Sequence, residues 1–100
     1  MEYEDVLQRV DTLSSELGEP EAADARRVVA IVRALGAPGG RERALGRELN
    51  RLSETLARRS ARALPAAALA RAALADLWGD ASERERTLLE CDSKLELFGL

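Results

Sequence analysis

The residue types that could do chemistry in this chain are few. Histidine is absent from its 100 residues, Cys91 is the one cysteine, and Lys94 is the one lysine. Without histidine, Ser-His-Asp and Cys-His catalysis are excluded, as are His-bound zinc or haem and a histidine pH switch. A lone cysteine excludes an intrachain disulfide and the usual structural zinc sites. Cys91 is expected as a small buried hydrophobe rather than a reactive thiol. Carboxylates, arginines and hydroxyls remain, so a hard cation held by Asp and Glu is the only metal chemistry these residue types allow.

Glu16 and Glu19 are the best start for such a site, three residues apart near a helix end. A magnesium-dependent hydrolase of phosphate esters needs further carboxylates converging on the same ion. Three residues after Glu48, Glu54, Glu83 and Glu85 stand Arg51, Ala57, Arg86 and Leu88, so none of these four starts a second pair, and Gly18 interrupts the first. Residues 36–40, GAPGG, lack the lysine that a phosphate-cradling glycine loop requires. Free N–H groups at Gly39 and Gly40 are a weak anion signal. We expect no enzyme, no metal and no cofactor.

Arginine offers a stronger pattern. Residues 41–64 read RERALGRELNRLSETLARRSARAL. Leu45, Leu49, Leu52 and Leu56 step by four, three and four, one apolar seam on a helix. Arg43, Arg47, Arg51, Arg58 and Arg62 lie on a different face and make a basic stripe broken by Glu54. Pairing of Glu54 with Arg58 and of Glu48 with Arg51 is expected to offset part of the repulsion. The net charge of −3 hides an uneven layout. Residues 1–24 carry eight acids against one arginine, residues 41–71 eight arginines against three acids, and residues 76–100 seven acids against three basic groups. A basic middle between acidic ends points to pairing within the chain, between copies, or with an outside anion. An RNA-binding surface usually interleaves aromatics among its cations. Tyr3, Trp78 and Phe98 all lie outside the basic stretch in sequence.

Residues 45–62 also admit a helix-turn-helix. Asn50 would sit at the turn, residues 53–59 would form the recognition helix, Ser53 and Thr55 would reach base edges, and Arg58, Arg59 and Arg62 would meet phosphates. Arg51 stands where that motif usually has an apolar residue, and Leu52 would need another burial route. One unbroken helix accounts for all four leucines without a turn, and it is the preferred reading.

The elements that must position these groups are helical throughout. Ala, Leu, Arg and Glu dominate, and all are strong helix formers. Tyr3, Val6, Val10, Leu13 and Leu17 form one seam over residues 2–17, with Gly18 as its C-cap. Pro20 opens a second helix whose buried face is Ala25, Val28, Val29, Val32 and Leu35, widened by Ile31. The GAPGG segment is a linker and a possible hinge. Helix three is the arginine stretch, with Gly46 allowing close approach of a neighbour. It is expected to end or kink at Leu64, before Pro65. Helix four, residues 65–78, is alanine-rich and suits close packing inside the bundle or across a subunit contact. Trp78 is expected as a core anchor at the bundle end. Asp80, with Glu83 three residues on, caps helix five, whose seam is Leu88, Cys91, Leu95 and Phe98.

Together these features predict an all-α fold: a compact bundle of about five amphipathic helices in one domain spanning residues 1–100. The acidic start and the lack of any apolar run near the ~20 residues of a bilayer span suggest a cytoplasmic protein with no membrane contact. The expected function is a protein-interaction or self-association module, with a protein partner or a second copy of itself, a homo-oligomer. Arg47, Arg51, Arg58 and Arg62 would supply charge, and Leu95, Leu97, Phe98 and Leu100 apolar contact. Duplex DNA binding through Ser53, Thr55, Arg58, Arg59 and Arg62 is the alternative.

Overall fold

Alanine decides the centre of the fold. In the computed structural model, which describes residues 3–35 and 42–100 and, for all but Tyr3 and Glu42, their side chains, five α-helices follow one another and no strand occurs among the described residues. They are α1 (Tyr3–Ser14), α2 (Glu21–Leu35), α3 (Glu42–Arg59), α4 (Leu64–Leu77) and α5 (Ala81–Leu97), with a 3-10 turn at Ala61–Ala63 before α4. Ten of the fourteen residues of α4 are buried, seven of them alanines. A helix without a polar face belongs inside, and α4 packs against all four other helices, most extensively α5 and α3. Small side chains let these neighbours close in around it. The alanines are therefore spent on the interior and do not form a subunit face.

The outer helices bury the seams read from the sequence. Val6, Val10 and Leu13 of α1, Val28, Val29 and Ile31 of α2, Leu49, Leu52 and Leu56 of α3, and Leu88, Cys91 and Leu95 of α5 share one core with Leu69 and Leu74 of α4. Each fully buried leucine contributes about 1.5–3 kcal/mol. The radius of gyration, 12.1 Å, matches the roughly 13 Å expected for a compact chain of this length. Among the described residues, no helix is long and apolar enough to cross a membrane.

Local chemistry sets the breaks. The α1 helix ends at Ser14, where the Ser14 and Ser15 hydroxyls donate to the Asp11 and Thr12 carbonyls and the last bonds tighten to a three-residue spacing. Gly18 does not take a left-handed C-cap; its carbonyl instead accepts from Ala22 N at the start of α2, and the Glu19–Pro20 peptide is cis. Helix three stops earlier than the sequence predicts. Ser60 is fully extended (φ −161°, ψ 159°) and Leu64 is helical (φ −58°, ψ −37°), so the break falls at Ser60. Pro65 then occupies the first turn of α4, where its missing N–H has no carbonyl to serve. At the α4–α5 corner Gly79 takes φ +74°, and Asp80 caps α5 by accepting from Glu83 N at 3.0 Å. The cap works one way only, because the Glu83 carboxylate turns to Arg86 instead. The hinge expected at residues 36–40 lies outside the described residues.

Candidate functional site

The unbroken α3 helix fixes the geometry of the basic stripe. Its leucine seam faces α4 and α2, so Arg43, Arg47, Arg51 and Arg58 fall on the opposite side, all four exposed. Along the α2 flank the charges are matched. Arg27 of α2 donates from Nε and an Nη to the two oxygens of Glu48, at 2.6 and 2.8 Å. That fork holds the Glu48 carboxyl below its ordinary range and raises the Arg27 guanidinium. Arg59 pairs with Glu21 at 3.6 Å. Beyond α3, Arg9 pairs with Asp92, Arg26 with Glu19, Arg33 with Glu4, Arg62 with Glu16, Arg71 with Glu90, Arg84 with Asp76 and Glu85, and Arg86 with Glu83. Among the described arginines, only Arg43, Arg47, Arg51 and Arg58 make no ion pair, and all four lie on one face. The expected Glu48–Arg51 and Glu54–Arg58 pairs do not form.

On its other flank, α3 meets the end of α4 in an open groove of about 570 Å³, lined by Arg43, Gly46, Arg47, Asn50, Leu77 and Trp78. Trp78 is 77 % exposed and is not the core anchor that the sequence suggests. It caps the α4 C-terminus just past the last helical residue, where its ring projects beside the arginines rather than into the core. An aromatic that the sequence leaves outside the basic region thus joins it in space. Gly46 forms the groove's inner wall; a methyl built on it would sit 3.5 Å from Leu77 Cδ1, an ordinary contact, so close approach does not demand glycine here.

The remaining expected site residues divide. Leu95 is fully buried and cannot meet a partner. Leu100 packs against the core. Leu97 is 80 % exposed. Phe98 is half-buried beneath Arg62, whose guanidinium carbon lies 5.4 Å from the ring centre. Arg62 leaves the stripe altogether, because the break at Ser60 redirects the chain and gives it Glu16 at 3.4 Å.

The helix-turn-helix geometry is absent. Helix α3 runs through Asn50 without a turn. Ser53 is buried, its hydroxyl donating to the Asn50 carbonyl at 2.9 Å, and Thr55 is half-buried. Arg59 and Arg62 are held by carboxylates of α2 and of the turn that precedes it. Glu16 and Glu19 likewise turn to different arginines, Arg62 and Arg26, and no group of three potential metal ligands converges among the described residues.

Sequence reasoning placed Arg47, Arg51 and Arg58 on a shared face, and they are there. It missed the groove. Leu77 and Trp78 are carried to α3 by a helix whose only charged residues are Arg71 and Asp76, too few to reveal which of its residues emerges at its end. No protein-family model, curated protein or solved structure matches the chain.

Proposed function

We propose that the chain is a non-enzymatic helical protein-interaction module that works through the outer face of α3. One observation carries the reading: the described arginines without an ion pair all lie on that face, while every other described arginine has a carboxylate. Like charges four apart on a helix cost a few tenths of a kcal/mol, about 0.2–0.5 per pair. A partner that brings carboxylates to Arg43, Arg47 and Arg51 converts that cost into affinity.

Docking on a different protein has more support than self-association. Self-pairing rested on the alanine face, the apolar tail and the acidic ends. The alanines and Leu95 are interior, and Glu4, Glu16, Glu19 and Glu21 are taken by arginines of the same chain.

The test compares extract proteins retained by the native chain with those retained by a variant carrying Arg43→Glu, Arg47→Glu, Arg51→Glu and Arg58→Glu. Proteins lost with the reversed face, and kept after nuclease treatment, support the reading. Equal retention sinks it, and retention abolished by nuclease moves it to nucleic acid. Light scattering in low and high salt settles the homo-oligomer: a salt-sensitive dimer would restore self-association as the function.

A further inference from the structure

The groove beside α3 is not uniformly basic. Arg43 and Arg47 stand on its α3 wall, Asn50 lies one turn on, and Leu77 with Trp78 forms the opposite, apolar wall. Beyond that wall the chain's acids are already engaged. Asp76 and Asp80 lie within two residues of Trp78, Asp76 at 3.5 Å from Arg84 and Asp80 accepting from the α5 backbone. Glu54 closes the arginine row at its other end, leaving Arg43, Arg47 and Arg51 as an uninterrupted set. The first and last of these stand eight residues apart, about 12 Å along the helix axis.

Such a surface selects its ligand by arrangement as well as by charge. A polyanion would meet the arginines and leave the apolar wall of Leu77 and Trp78 unmatched. A segment with acids along one edge and apolar side chains along the other meets both walls in their favoured sense. Two turns of helix match the 12 Å row, with carboxylates at i and i+4 opposite arginines at i and i+4.

Building on the interaction reading above, we propose that this groove docks an acidic amphipathic helix of a partner protein. Its carboxylates pair with Arg43, Arg47 and Arg51, and its apolar residues cover Trp78 and Leu77. Docking desolvates the indole. Because Trp78 is the chain's one tryptophan, its emission reports occupancy directly.

The experiment uses the full chain and a designed fifteen-residue peptide free of tryptophan, with Glu at i, i+4 and i+8 and Leu on the adjoining stripe. Its controls are a scrambled peptide of the same composition, a glutamate homopeptide and a short DNA duplex. The amphipathic peptide is expected to shift Trp78 emission to the blue and to saturate, while the controls do neither. With labelled peptide, Arg43→Glu with Arg47→Glu is expected to weaken binding by about tenfold or more, and Trp78→Ala by a comparable factor. Arg26→Ala, on the far side of α2, leaves binding unchanged, and circular dichroism checks that each variant is folded. No blue shift with the amphipathic peptide overturns the proposal. So does equal binding of scrambled peptide, homopeptide or duplex, which would make the groove a non-selective anion surface. Either failure leaves the interaction reading standing if extract proteins still depend on the α3 face; loss of both shows that the face itself has no partner.

Discussion

Arg27 grips both oxygens of Glu48 across the α2–α3 interface, and the carboxylate one turn before Arg51 on the same helix forms its ion pair there, keeping only a weaker through-space attraction to Arg51. The arginine row lacks an ion pair partly because a neighbouring helix outcompetes it. Local pairing on a helix surface is worth a few tenths of a kcal/mol, about 0.2–0.5. A two-point fork between planar groups is stronger and geometrically specific.

That fork predicts a pH dependence. Hydrogen bonding from Arg27 lowers the Glu48 pKa in the folded chain below its ordinary 4.5. A depressed carboxylate contributes stability above its unfolded pKa and loses it as pH falls through the folded value. Glu48→Gln is therefore expected to be less stable than the native chain at neutral pH. The difference should shrink once the pH drops below about 4.5. Urea unfolding of the two proteins across that range measures it; a gap that stays constant would mean that the fork adds nothing in solution.

The C-terminal leucines separate by burial, and mutation should separate them too. Leu95 is fully buried and Leu97 is 80 % exposed, two residues along the same helix. Leu95→Ala is expected to cost about 2–5 kcal/mol, by lost transfer energy plus the cavity left behind. Leu97→Ala should stay within about 0.5 kcal/mol. Chemical denaturation of both variants decides. A large loss at Leu97 would show that the face carrying it is covered in solution.

These contrasts show where the sequence could be read and where it could not. Leu45, Leu49, Leu52 and Leu56 declare their face by spacing alone, so the arginines opposite them were legible as a surface. Leu95 was legible too, since its place in the Leu88, Cys91 and Leu95 seam turns it inward, and grouping it with Leu97 for partner contact goes against that spacing. The Arg62 side chain was assigned to the stripe by counting through Ser60, and one extended residue invalidates the count. Trp78 was beyond reach for a different reason. Periodicity orients a residue by its helix, and in α4 only Arg71 and Asp76 break an otherwise apolar sequence. The groove depends on how two helices are set against each other, which neither helix encodes by itself.

Cys91 gives a chemical check on the core. Its thiol is fully buried, with Sγ 3.2 Å from the Pro65 carbonyl, and burial pushes its pKa up to about 12. The thiolate is the reactive form. At pH 8 the native chain should therefore react with an aromatic disulfide reagent only as fast as it opens, with a burst of reaction when urea is added. The sign for stability is the reverse of Glu48. The folded thiol holds its proton where the unfolded one, near 9.0, has lost it, so this group lowers stability as pH rises above that value. Rapid labelling of the folded chain would contradict the buried placement.

Arg47 provides the sharpest test of whether the basic face serves something other than the fold. It stands four residues after Arg43 and four before Arg51, and none of the three makes an ion pair among the described residues. Arg47→Glu replaces two repulsive neighbours with two attractive ones, and places an acid N-terminal to Arg51, the better orientation. The variant is therefore expected to be more stable than the native chain by about 0.5–1 kcal/mol, seen as a higher urea midpoint with an unchanged slope. It should also lose the amphipathic peptide. A substitution that improves the fold while abolishing binding identifies the native arginine as a residue held for the partner, since its charge makes the isolated helix worse. If Arg47→Glu instead lowers stability, the row has a structural role, and the groove loses its claim to be a docking surface.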